Sequence, residues 1–295
     1  MATRITLKRR ISSIRNTRQI TKAMELVSAS KLRRAQEQAL ASRDYRQAAY
    51  GLLARLNQLQ EVKQQTLFKH RKINSRLYVV ITSNSGLAGA YNANILKMLT
   101  KSIKQDQQDK IKSSVITIGN KGVQFVRRLK DVELLAHYPV PNDRPTENDI
   151  RPVLISIVDR YRDELVDEVR LLYTDFRSTI AQQAINLPLL PAELDGDQDV
   201  EQAVKPPHAG TMNFEPDVET VVHNVAARLI EIQIWQGLLE SSASEHSMRM
   251  LAMKSASDNA TGLIDDYTLE YNTARQAAIT QELAEITGGA EALNV

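Results

Sequence analysis

The sequence predicts an α/β fold in which the N- and C-terminal segments form a long antiparallel two-helix coiled coil and an α/β globular domain lies between them. Three observations predict it. Neither end carries the residues that break helices over most of its length, strands alternate with helices in the middle, and the two ends carry opposite charge.

The N-terminal helix comes first. The first glycine is Gly51 and the first proline Pro139, so nothing breaks a helix from about Ile5 to Leu59. Apolar residues recur at Leu7, Ile11 and Ile14, then at Ile20, Ala23 or Met24, and Val27. Three-and-four spacing of this kind puts side chains on one helical face. Ala35, Ala39, Leu52, Leu56 and Leu59 continue it more loosely.

The middle has a different rhythm. Arg76 to Ser83 (RLYVVITS) reads as a buried strand by length and β-branching. A helix follows from Asn92, a second strand spans Ser113–Gly119, and a helix runs from Val123 to Leu129. Val132 to Val140 reads as a third strand, Glu147 to Glu168 as helix and Val169 to Phe176 as strand. Such alternation makes a mostly parallel, Rossmann-like sheet. Residues 191–210 are acidic and contain Gly and Pro, which makes them a surface loop.

Glu215-Pro216-Asp217 opens the last helix, with proline at the first helical position and acids in the first turn. Val221, Val225, Leu229, Ile232, Trp235 and Leu239 form one face. Ala260, Leu263, Tyr267, Tyr271, Ala274 and Ala278 resume it after a polar middle, and Gly288-Gly289 supplies the stop. Gly237 and Gly262 inside the helix cost ~1 kcal/mol each against alanine and are positions for bends. The domains are therefore 1–60, 61–214 and 215–295.

Length decides how the helices are used. At 1.5 Å per residue the last helix spans roughly 105 Å and the first about 80 Å. A compact domain of this size is only about 40 Å across. The helices must protrude, and each needs a partner for its apolar stripe. Residues 1–76 hold 18 Lys or Arg against 4 Asp or Glu, while residues 217–295 hold 4 against 12. Pairing the basic helix with the acidic one satisfies both stripe and charge.

Several function classes are excluded. With no cysteine, disulfides, Cys-based metal sites and thiol switches are absent. No run of eighteen apolar residues exists to cross a bilayer as a helix. The segment Ser83–Asn92 follows a strand and opens a helix, as phosphate loops do, but lacks the P-loop lysine and the dinucleotide glycine pattern. Gly119–Gly122 is a second such turn. Ser85 lacks the G-x-S-x-G elbow. The five histidines, His70, His137, His208, His223 and His246, share no metal-ligand spacing. Residues 1–24 contain seven bases and no acid, as in a transit peptide or a nucleic-acid arm. The helical stripe runs on without a cleavage-like change, and no aromatic residue precedes Tyr45 to stack on a base.

Two terminal motifs carry a resemblance. Arg15–Met24 (RNTRQITKAM) leads into Ala29–Gln36 (ASKLRRAQ). At the other end stand Ser244–Lys254 (SEHSMRMLAMK), Asp258–Ala260, and Tyr271–Ile286 with Gly289-Ala290. In order and over the whole chain these resemble the gamma subunit of F-type ATP synthases. Asn84, Ser85 and Ala88 stand where that family usually has Asp, Arg and Cys, and Leu26 where a second methionine is common. The regulatory cysteine insert of plastid members is absent.

The resemblance implies a non-catalytic shaft without cofactors. It would rotate inside a ring of three alpha and three beta subunits and couple ion flow through a c-ring to ATP chemistry at the beta sites. Met24, Arg275, Gln276 and Thr280 would meet beta subunits, and Glu215 would lie at the foot near the c-ring and the epsilon subunit. Nucleic acid is not an implied partner. Association with the membrane would be peripheral, through the complex, on the cytoplasmic side of a bacterial inner membrane or the matrix side of a mitochondrial one. A natural-looking Met1 favours the bacterial reading. The outward basic charges either engage acidic levers of the ring or solvate the helix and pair across the coiled coil.

Overall fold

A computed structural model describes residues 4–41, 62, 65–141, 146–192 and 218–293. The elements in chain order are α1 (Arg4–Ala41), β1 (Ser75–Ile81), α2 (Tyr91–Gln108), β2 (Lys112–Ile118), α3 (Asn120–Val126), β3 (Glu133–Tyr138), α4 (Glu147–Arg162), β4 (Glu168–Phe176), β5 (Gln182–Leu190) and α5 (Val218–Leu293). They fall into two compact units. One is Ala29–Met248, the α/β body. The other pairs Met1–Ser28 with Arg249–Val295. The expected domain boundaries near 60 and 214 lie outside the described residues.

The body is built on one sheet of order β3-β2-β1-β4-β5. β1, β2, β3 and β4 are parallel, and β5 is antiparallel to β4. β1 is central and buried on both faces, which explains its unbroken apolar run Leu77–Ile81. Its side chains alternate between two cores. Tyr78 and Val80 pack with Ile95, Leu99 and Ile103 of α2 and Val126 of α3. Leu77, Val79 and Ile81 face the other side, against Ile150, Val153 and Ile157 of α4 and Ala226, Leu229, Ile230 and Ile234 of α5. Tyr91, Ile95, Leu99 and Ile103 recur every four residues, so α2 lays one face on the sheet.

Sequence reasoning missed β5. Pro188 and Pro191 argue against a strand there, yet β5 is an edge strand, where a proline removes no ladder bond that matters. The helix expected from Glu147 to Glu168 starts with a Thr146–Asp149 capping box and stops at Arg162. Glu164 then takes φ 58°, and the Leu165 amide donates to the Arg160 carbonyl, closing the helix before β4 begins. α3 spans Asn120–Val126, three residues earlier than expected. The helix predicted to stop at Gly288-Gly289 runs on to Leu293. A Cβ at either glycine would meet nothing within 4 Å, so neither sits in a tight turn.

Residues 218–248 of α5 belong to the body. Between Leu229 and Ser241 this stretch is buried on nearly all sides, including Glu231, Gln233, Gln236 and Glu240. The sheet contact comes from Val222, Ala226, Ile230, Ile234 and Leu238 as well as Leu229, a wider face than the single stripe expected. Gly237 permits the approach: a Cβ there would lie 2.9 Å from Leu171 Cδ2.

In the second unit, Arg4 pairs with Glu282 at 3.5 Å, and the Arg10 guanidinium lies 5.8 Å from the Tyr267 ring centroid. Rising numbers on α1 thus meet falling numbers on α5, and the helices are antiparallel. Within this unit the buried or half-buried positions of α1 are Leu7, Ile11, Ile14, Arg18, Thr21, Glu25 and Ser28, alternating by four and three, with Met24 half-buried beside them. On α5 Met253, Ser257, Ala260, Ile264, Tyr267, Tyr271, Ala274 and Ala278 are buried or half-buried in the same alternation, with half-buried neighbours such as Ala256, Thr268 and Asn272 at the seam's edge. That is a heptad seam. It corrects the expected stripe. Ile20 and Val27 lie outside the seam at 61% and 55% exposure, and the polar neighbours Thr21 and Ser28 are buried instead. Ile264, not Leu263, is the seam residue of α5.

Candidate functional site

No group of three or more metal-ligating side chains occurs among the described residues. The glycine loop after β1 is closed by its own polar groups. The Ser83 amide donates to Asn92 Oδ1 at 3.0 Å, and Asn92 Nδ2 donates to Ser83 Oγ at 2.7 Å. The Gly122 amide donates to Thr82 Oγ1, and the Lys121 amide to the Ser83 carbonyl. Asn84 ties the loop to Val140 through both ends of its amide. Those donors are spent on the turn itself, and the loop holds no lysine or arginine to meet a phosphate. Gly119 is required there: at φ 106° its Cβ would stand 2.1 Å from the Thr82 carbonyl oxygen. His137 lies between Thr117 and Asn120. A cleft of about 290 Å³ between Gln65–Phe68 and the start of α5 is lined, among the described residues, by Thr66, Thr220, Val222 and Asn224 and by no ionisable side chain.

A buried charged cluster lies at the start of the parallel strands. Arg76 binds Asp106 and, at 2.5 Å, Glu168, which also takes Arg170 at 2.5 Å. Tyr78 and Ser113 donate to Asp106 at 2.7 and 2.8 Å. Burial, then the bond to Asp106, pushes the Tyr78 phenol above the ordinary tyrosine range. Burial likewise pushes Tyr161 up to about 12, against the opposing pull of Arg71, whose guanidinium lies 4.9 Å from the ring centroid. Each charge is paired, with Asp106 and Glu168 buried and Arg170 at the partly open rim, so the cluster clamps α2 to β1 and β4.

The candidate surface is therefore on the paired helices. Arg275, Gln276 and Thr280 of α5 are all exposed and lie within two turns, and the Thr280 hydroxyl donates to the Gln276 carbonyl at 3.0 Å. Met24 of α1 is half-buried at the seam edge. The antiparallel register places Met24 roughly 30 Å along the axis from Arg275, so the two groups form separate patches. Glu215 lies outside the described residues.

Two apolar stripes were not read from the sequence as outward surface. Ile20 and Val27 are exposed beside Met24, with Leu26 at 61%. Every residue from Ile279 to Gly289 is exposed, which leaves Ile279, Leu283 and Ile286 as a bare stripe at three-and-four spacing. A stripe of this spacing is what a helix buries against a partner. The heptad count, run from Leu7, would have told Ile20 and Val27 from the seam.

A family model described as ATP synthase matches residues 4–293. The ATP synthase gamma chain of Xylella fastidiosa (strain M12) is 40% identical over 294 residues, 99% of this chain and 100% of that one. That of Desulfitobacterium hafniense is 38% identical over 295 residues, again 99% and 100%. Among solved structures, a chain of the Euglena gracilis mitochondrial ATP synthase (OSCP/F1/c-ring) aligns with TM-score 0.65 at 18% identity, over 98% of this chain and 94% of that one. A chain of the Tetrahymena thermophila mitochondrial ATP synthase central stalk and c-ring aligns with TM-score 0.60 at 24% identity, over 81% and 99%. These two likenesses share the fold.

Proposed function

The chain belongs to the ATP synthase gamma chain family, and on that premise we propose that it is the rotating central shaft of an F-type ATP synthase. It carries no catalytic group of its own. The paired helices turn within a ring of three alpha and three beta subunits, where the beta subunits hold the ATP sites. The c-ring and the epsilon subunit meet the other end of the rotor, with Glu215 at that foot. The complex is membrane-bound, on the cytoplasmic face of a bacterial inner membrane.

The observation that carries this reading is the bare outer surface of the two-helix unit. A helix pair with a narrow seam leaves most of its side chains outward, and here those include Ile20, Val27, Leu269, Ile279, Leu283 and Ile286. A sleeve of partner subunits covers them. Met24 with Ile20 and Val27 forms one contact patch on beta, and Arg275, Gln276 and Thr280 form another. Coupling arises because an asymmetric shaft contacts each beta subunit differently, biasing it toward a different state.

The test is Mg-ATPase of cognate alpha and beta subunits with and without this chain. Turnover should rise when one copy is present per three alpha–beta pairs. Arg275→Ala should lower coupled turnover while the chain remains helical. Failure of the folded chain to assemble would overturn the reading, and unchanged turnover in Arg275→Ala would remove that residue's role.

A further inference from the structure

We propose that the α2–α3 face of the body is an electrostatic contact for anionic lipid headgroups. The inference rests on the rotor reading only for the presence of a membrane near the body. Residues 91–130 hold nine Lys or Arg and two Asp. One of those acids, Asp106, is buried and spent on Arg76. The other, Asp109, accepts from Gln105. Lys97, Lys101, Lys104, Lys110, Lys112, Arg127, Arg128 and Lys130 are exposed, and none of them carries an ion pair among the described residues.

Elsewhere on the body Arg71, Arg76, Arg162, Arg170 and Arg177 each carry an ion pair, while Lys69, Lys72 and Arg151 are exposed singly. The longest succession of exposed bases is that of α2, α3 and the turns that follow them. Lys97, Lys101 and Lys104 follow i, i+4, i+7 along the outer face of α2, opposite the face that buries Ile95, Leu99 and Ile103. α3 touches α2 on the same side, and Arg127, Arg128 and Lys130 follow its last turn.

The composition of this face selects the partner. Stable protein interfaces need a desolvated centre of aromatic or aliphatic anchors, and lysine is depleted from them. No large apolar side chain is exposed between residues 88 and 154 among the described residues. Leu96, Met98 and Leu129 turn inward onto the core. What remains is a field of long, mobile cations without an anchor, which suits a diffuse anionic surface. Such an attraction needs no fixed register, so a turning body keeps it at every angle.

The experiment uses the soluble complex of alpha, beta and this chain, whose ATPase reports assembly separately. Sedimentation is measured with vesicles of phosphatidylcholine alone and with about 30 mol% phosphatidylglycerol. Wild type should bind only the anionic vesicles and be released when NaCl rises from about 50 to about 300 mM. The combined variant Lys97→Gln, Lys101→Gln, Lys104→Gln should need at least about tenfold more lipid. Neutralising Lys69, Lys72 and Arg151 elsewhere on the body should have little effect. Equal binding by the two triple variants overturns the proposal, as does binding indifferent to phosphatidylglycerol. If the α2 variant binds vesicles like wild type but loses a subunit of the complex, the face serves a protein instead.

Discussion

The body and the two-helix unit bury their residues by different rules. In the body, a five-stranded sheet is covered on both faces, and Leu77, Val79, Ile95, Leu99, Ile157 and Leu171 are all excluded from water. In the helix pair, the seam is one side chain wide, and half of its positions are Ser, Thr, Ala or charged. The first region holds itself together, whereas the second is continuous, helical and thinly supported. Rigidity that does not depend on a partner belongs to the body, and bare apolar surface for a protein partner belongs to the helices.

The largest effect should come from opening the body's charged cluster. Asp106→Ala strands Arg76 and leaves Tyr78 and Ser113 without their acceptor, a loss of about 3–5 kcal/mol. Urea denaturation followed by tyrosine fluorescence should show it, and a loss under about 1 kcal/mol would mean that Glu168 alone suffices to hold Arg76. Next comes Ile264→Ala, which empties a buried apolar position of the α5 seam. It should cost about 2 kcal/mol and melt helix in the second unit while leaving the body transition in place. Circular dichroism resolves the two, and a single shared transition would break the comparison. The smallest effect is alkaline. Tyr161 titrates near 10 when unfolded and about 12 when folded. The unfolded chain therefore loses its proton first. The stabilisation from Tyr161 is whole below pH 10 and is lost as pH climbs toward 12. Tyr161→Phe should flatten that decline in body stability, and an unchanged slope would assign it to other groups.

The sequence made the strands of the body legible because β1, β2 and β4 are apolar runs set among helices. β5 was hidden because Pro188 and the polar pair Gln182-Gln183 disguise an edge strand, although it folds straight back on its neighbour β4. On α1, apolarity alone chose Ile20 and Val27 for the seam, but a helix pair needs a strict seven-residue period. That period selects Thr21 and Ser28, and the rejected apolar residues become outer surface. The basic face of α2 was invisible for another reason. Summing charge over the two ends and the remainder hides the nine bases against two acids of residues 91–130, and the fold then places Lys97, Lys101 and Lys104 on one outer helical face.

Gly237 and the serines that follow it carry one more consequence. The Thr174 amide donates to Ser241 Oγ, Ser244 donates to the Thr174 carbonyl, and Ser247 donates to the Thr179 carbonyl. Below them, Gly237 lets the helix sink onto Leu171 and Tyr173. Turning this stretch of α5 about its own axis would break three hydrogen bonds and drive its backbone into the sheet. The helix is keyed into the body like a splined axle, so torque applied to the body enters the helix without slip.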